Sequence, residues 1–190
     1  MIIDFDFSKD ARRSSILSQL RALYDAPTWD QLCSDATSNY SLTVQDHYAT
    51  PHEIYDALEG LNLPKNVLFD LYSIYDIIAR AESEVHGVSI EKIHFHEVGK
   101  SASINNTILI CLVFENLRPF VARSGKVQVG SGSIQCSHGI LDIPAPATRK
   151  ILERGIPIAK TRLEGELCTP TSAAMIGYYC FSSAFTVREY

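Results

Sequence analysis

No run of lysine or arginine in this chain is long enough to follow a nucleic-acid backbone, and Arg12-Arg13 is too short to change that. The formal net charge is -5 and the pI is near 5.6, which also argues against a general nucleic-acid binder. Long apolar stretches are missing as well. The longest, residues 108–114, falls far short of the roughly 20 residues a membrane span needs. The first residues, Met1-Ile2-Ile3-Asp4-Phe5-Asp6, alternate acid with apolar side chains and lack the basic start of a secretory signal. The five cysteines are odd in number and widely spaced, and no CxxC pair occurs, so neither a disulfide framework nor a zinc knuckle is indicated. These features make a cytoplasmic protein the expectation, with no nucleic acid and no membrane among its partners.

Hydrophobic residues make up 46% of the chain and charged residues 21%, ordinary values for a globular protein. A length of 190 residues suits a single domain with a real core, and any sub-boundary is expected near 118–126. Residues 2–7 read as a strand. Ser14 or Ser15 is positioned to cap a helix whose apolar face is Ile16, Leu17, Leu20, Leu23 and Tyr24. Residues 26–48 are polar and read as a loop. Thr50-Pro51-His52-Glu53 is a helix start, with a cap, a first-turn proline and a glutamate three residues on, and Gly60 stops that helix. Val67, Leu71, Ile74, Ile78, Ala81 and Val85 step by three or four, predicting a long helix that ends at Gly87. The length of the apolar segment 104–117 favours helix. Beyond Lys126 the pattern predicts short strands at 126–129, 133–136 and 158–163, helices after Pro146 and Pro170, and a last strand at 185–188. The fold class expected is α/β or α+β, a mixed sheet covered by helices.

Histidine is where chemistry is expected. His94-Phe95-His96-Glu97 spaces two imidazoles at i and i+2; in extended chain both share one face, roughly 7 Å apart, while Phe95 and Glu97 point the other way. Such a pair suits nickel, zinc or copper, although an isolated HxH is more often structural. Cys136-Ser137-His138-Gly139 repeats the geometry with a thiol, and a buried cysteine beside a turn histidine is the blander alternative. His86 precedes a helix-stopping glycine and is better read as a helix-end residue. His47 and His52 receive no role. Gly130-Ser131-Gly132-Ser133 lacks the lysine and spacing of a phosphate loop and reads as a tight turn. Glu164-Gly165-Glu166 leads to Thr169-Pro170-Thr171, a helix start able to hold an anion or simply to cap the helix.

In order along the chain stand Val85-His86-Gly87, His94-Phe95-His96-Glu97-Val98-Gly99, Gly130-Ser131-Gly132, Ser137-His138-Gly139, Pro144-Ala145-Pro146-Ala147-Thr148, and the segment from Glu164 through Thr171. This series resembles the motifs of the LarC-type nickel insertion protein family, over the family's N-terminal half, and most sharply across 84–100 and 129–176. The resemblance implies handling of nickel for insertion into a pyridinium nucleotide that bears two thiocarboxylates, in a reaction that consumes CTP. It makes His94, His96, Glu97 and His138 the candidate metal ligands, and Glu166 and Thr169 candidate cofactor-binding residues. It also implies a separate C-terminal, nucleotide-binding partner, through which alone CTP would act. Self-association is expected on general grounds.

Departures from the family pattern are equally specific. Where the family continues with "AVDSIVD", this chain has Lys100-Ser101-Ala102-Ser103-Ile104-Asn105-Asn106, so two acidic positions are Ala102 and Asn106. The glycine-rich "DCFSGISGDM" is represented by residues 4–13, and Arg13 stands roughly where an aspartate is expected. Three readings follow: a nickel-handling subunit, a degenerate paralogue that keeps the fold without insertion, and a structural or regulatory partner without metal.

Overall fold

A computed structural model describes residues 1–44, 46–136 and 139–181. The first strand, β1 (Ile2–Phe5), pairs in parallel with β2 (Val121–Ser124), Ile2 opposite Val121 and Phe5 opposite Ser124. Its alternation turns Ile3 and Phe5 inward, as expected for a strand with one covered face. Between them run α1 (Arg13–Arg21), α2 (Ala26–Asn39), α3 (Pro51–Glu59), α4 (Lys65–His86) and α5 (Ser101–Leu117). The rest of the described chain carries β3 (Gly130–Ser131), β4 (Ser133–Cys136), β5 (Gly139–Asp142), α6 (Pro146–Leu152), β6 (Gly165–Glu166) and α7 (Pro170–Cys180). Helix and strand are mixed, as expected of an α/β or α+β class. Parallel and antiparallel pairs both occur, but among the described residues they are divided among three two-stranded ladders: β1–β2, β3–β6 and β4–β5.

The long helix α4 organises the core. Its 22 residues span about 33 Å, and its buried stripe includes Leu71, Ile74, Tyr75 and Ile78. It packs on α3, α5, α6 and α7. Each fully buried aliphatic side chain there contributes on the order of 2 kcal/mol relative to exposure. Gly87 ends the helix in the left-handed conformation, φ 64°, where a Cβ would be strained. Helix α5 is buried on most sides, through Ile104, Ile108, Cys111, Val113 and Phe114, so its sequence shows little amphipathic contrast. One hydrophobic cluster joins β1, α1, α4, α5, α6 and α7.

Several sequence expectations need correction. Residues 26–48 do not form one loop, because α2 occupies their first part. Asp25 caps it, its carboxylate accepting the Thr28 N–H at 2.8 Å, and Pro27 sits in the first turn. Helix α1 is capped by Arg12, without a side-chain hydrogen bond, and Ser14 and Ser15 lie inside the first turn. Thr50 does cap α3, accepting from the Glu53 N–H, while the Glu53 carboxylate accepts from the Ala49 N–H at 2.6 Å.

The strands expected at 126–129 and 158–163 shrink to a single bridge between Val127 and Ile158. The reason is the buried side chain of Gln128. Its amide donates to the Thr161 carbonyl at 2.9 Å and accepts from the Gly130 N–H at 3.1 Å, substituting for ladder bonds. Gly130-Ser131-Gly132-Ser133 is the tight connection from β3 to β4. A Cβ on Gly130 would lie 1.8 Å from the Gly165 carbonyl oxygen, so β3 and β6 approach closely only because Gly130 has none. The strand expected at 185–188 lies outside the described residues.

Candidate functional site

A cleft of about 660 Å³ opens where several elements begin or end. One wall is the end of α4, with Glu82 and His86, and the loop that follows, with His94, His96 and Glu97. The opposite side is formed by the starts of α6 and α7 and by Glu166, and the β4–β5 hairpin contributes Ile134, Cys136 and Leu141. Arg13 and the first turns of α5, through Ala102, Ser103 and Asn106, complete it.

The imidazole wall is built by alternation. Ile93 and Phe95 are buried, at 1% and 2% exposure, while His94 and His96 are exposed to the cleft. Phe95 packs near Tyr75, ring centres 6.5 Å apart, and its N–H donates to the Ala49 carbonyl at 2.6 Å. The main chain is held from outside by residues 46–49. A ring nitrogen of His47, Nε2, is hydrogen-bonded to the His96 carbonyl at 2.8 Å, and the Tyr48 N–H donates to the Gly99 carbonyl at 2.9 Å. A Cβ on Gly99 would stand 2.0 Å from the Tyr48 carbonyl oxygen, which accounts for glycine in the HEVG turn. His47, assigned nothing from the sequence, is therefore a backbone staple for the loop. No local signal in the sequence marks that role, because the contact joins residues 49 positions apart.

The expected placing of Phe95 and Glu97 on the face away from the imidazoles holds only for Phe95. The chain turns after His96, and Glu97 also lines the cleft, paired with Lys100 at 2.7 Å. Both partners are largely exposed, so this pair is worth no more than about 1 kcal/mol and is readily exchanged. His86 lies 3.5 Å from Glu82, one helical turn earlier, and shares the cleft as well as the helix end. Cys136 lines the cleft from the end of β4; Ser137 and His138 lie outside the described residues.

Across the cleft, Glu166 stands on β6. Burial pushes its carboxyl above the usual carboxylate range. Thr169 caps α7: its hydroxyl accepts from the Ser172 N–H at 3.3 Å, and its own N–H donates to Ser172 Oγ at 2.9 Å. Thus His94, His96, Glu97, Glu166 and Thr169 all meet one cavity, although they come from distant segments. They do not meet as a tight ligand cluster. Among the described residues, no group of three or more histidine, cysteine, aspartate or glutamate side chains stands close enough to hold a metal ion.

The departures from the family pattern converge on the same place. Arg13, Ala102 and Asn106 all line the cleft. Arg13 is partly buried, and its Nη1 donates to the carbonyl and hydroxyl oxygens of Ser103, at 2.7 and 2.6 Å. Burial lowers the pKa of its guanidinium.

The cleft is thus lined by exposed imidazoles and carboxylates on one side, and by a cation and helix starts on another. The family model described as nickel insertion protein matches residues 12–188, and the chain belongs to that family. It is 42% identical over 130 residues to the pyridinium-3,5-bisthiocarboxylic acid mononucleotide nickel insertion protein of Staphylococcus saprophyticus, covering 68% of this chain and 33% of that one. The protein of the same name from Geobacillus kaustophilus is 37% identical over 134 residues, covering 70% and 32%. A putative nickel insertion protein of Methanococcoides burtonii is 35% identical over 127 residues, covering 67% and 32%. The chain therefore spans about a third of the length of these relatives. No solved structure matches it. Among the described residues, no helix is long and apolar enough to cross a membrane.

Proposed function

We propose that this chain carries nickel as cargo on the imidazole wall of the cleft and presents it to a pyridinium bisthiocarboxylate mononucleotide. The observation that carries the reading is the meeting of His94, His96 and Glu97 with Glu166 and Thr169 in one cavity. His138 joins the proposed ligand set on the Ser137-His138-Gly139 motif alone. Imidazole and carboxylate donors hold a nickel ion well enough to deliver it, and softer sulfur ligands on the acceptor favour its departure. Glu97 can leave Lys100 at little cost, which suits a ligand that engages and releases. In this reading Glu166 and Thr169 face the nucleotide. In this reading CTP is bound by a nucleotide-binding half that works together with this cleft. The five cysteines are free thiols, which fits a reducing, cytoplasmic setting.

Nickel titration by calorimetry tests the reading. The metal-free parent should bind, and the variant carrying His94→Ala with His96→Ala should bind at least tenfold more weakly, a loss of about 1.4 kcal/mol. Unchanged affinity in the double variant moves the cargo site elsewhere. A second reading, a paralogue that keeps the cleft without inserting nickel, is favoured by Arg13, Ala102 and Asn106 in the cavity wall. A parent protein that takes up no nickel would leave that reading in front.

A further inference from the structure

The cleft has a second chemical character, centred on Arg13. Of its guanidinium nitrogens, Nη1 is used by the carbonyl and hydroxyl oxygens of Ser103. That anchoring leaves the Nε and Nη2 edge, which carries two parallel N–H donors at the spacing of an oxyanion's two oxygens. No carboxylate forms an ion pair with Arg13 among the described residues. Of the three acids that share the cleft, Glu97 is taken by Lys100, Glu82 stands beside His86, and Glu166 is half-buried. A partly desolvated cation without a counter-ion is unfavourable in the empty protein, and the deficit favours any ligand that provides one.

The surroundings point the same way. Arg13 is the first residue of α1, Ala102 and Ser103 belong to the first turn of α5, and Pro170 and Thr171 begin α7. These three helices, of 9, 17 and 11 residues, direct their N-termini into one cleft. None has an acidic residue in its first turn, and α1 and α5 lack side-chain caps. The Ala11 N–H donates to the Leu167 carbonyl at 2.8 Å, tying the approach of α1 to that of α7. The dipole ends therefore reinforce the charge of Arg13.

We propose that the Arg13 end of the cleft binds the oxyanion of a small molecule, a phosphate ester or a carboxylate, through the free Nε–Nη2 edge of the guanidinium. The choice of these two ligand chemistries rests on the reading of the cleft as the site for a bisthiocarboxylate mononucleotide. Metal enters nowhere, so the two ideas can fail separately.

The test is titration of the full chain, stripped of metal over a chelating resin, with ribose 5-phosphate in one arm and pyridine-3,5-dicarboxylate in the other. At least one probe should bind the parent and raise its melting temperature. Arg13→Gln should weaken that binding at least tenfold, and Arg13→Lys should fall between, keeping charge but losing the fork. Asn106→Asp covers the case in which Arg13→Gln does not fold. It lies one helical turn beyond Ser103 on the cleft side of α5. The added carboxylate should compete as an internal counter-ion and weaken the same probe severalfold. The arm that responds identifies the oxyanion. Binding of neither probe to the parent, or equal binding by the parent and both the Arg13→Gln and Asn106→Asp variants, overturns the proposal.

Discussion

The two walls of the cleft place their site residues in different ways. The imidazole wall is pinned from beneath by side chains: Ile93 and Phe95 enter the core and leave His94 and His96 outside. The wall carrying Glu166 and Thr169 is also anchored in the core, through Cys168 and the start of α7, but the two site residues themselves are placed by backbone geometry. That geometry depends on the close approach of Gly130 to Gly165 and on the capping box that opens α7. Hydrophobic burial is worth several times a cap, so disturbing Phe95 should cost more than disturbing the Thr169 cap. The walls also differ in charge. Imidazole nitrogens offer lone pairs to a metal ion, whereas the helix starts and Arg13 offer positive charge, so the proposed cargo and its proposed acceptor would occupy one cavity without competing.

Phe95→Ala removes the buried anchor of the imidazole wall and should produce the largest change. Removing a side chain only 2% exposed should cost about 3–5 kcal/mol of unfolding free energy, measured by denaturant titration. Nickel affinity should fall with it at temperatures where the variant is still folded, because the two imidazoles lose their common anchor. A variant that keeps parent affinity despite that loss would mean the histidines are positioned by the His47 and Tyr48 backbone contacts alone.

Thr169→Ala probes the other wall and should cost about 1 kcal/mol, the usual value of a lost cap, in the same denaturant measurement. Nickel affinity should stay near the parent value. A cost as large as that of Phe95→Ala would erase the contrast between side-chain and backbone support.

Local signals explain which parts of this architecture could be read from the chain beforehand. The step of three and four from Val67 to Val85, with Gly87 after it, marks α4 because each residue repeats the same burial requirement. Thr50 and Pro51 mark α3 for an equally local reason. Helix α2 is marked by Asp25 and Pro27 at its start and by a thin stripe, Trp29, Leu32, Cys33 and Ala36, but only Ala36 is buried and the polar residues between them give the segment the texture of a loop. The expected strands around Gln128 failed because a buried amide makes the bonds a ladder would have made, which no propensity foretells. Within the cleft, His94 and His96 announce themselves by spacing. Arg13 does not, since its partner Ser103 lies 90 residues away and only the packing of α1 on α5 brings them together.

Glu166 offers the finest probe of the cleft's polarity. Burial raises its carboxyl pKa in the folded chain, so the folded protein binds that proton more tightly than the unfolded one. Its contribution to stability is therefore fully present below the unfolded pKa and is lost as pH rises through the folded value. The window opens near the ordinary 4.5 of glutamate and extends upward. Glu166→Gln, neutral throughout, should flatten the fall in stability across that window while changing little below it. Urea titrations of both proteins at several pH values read the difference directly, and parallel curves would mean that water reaches this carboxylate freely. An oxyanion bound at Arg13 should steepen the parent's dependence, because a second negative charge in the cleft makes ionising Glu166 harder still.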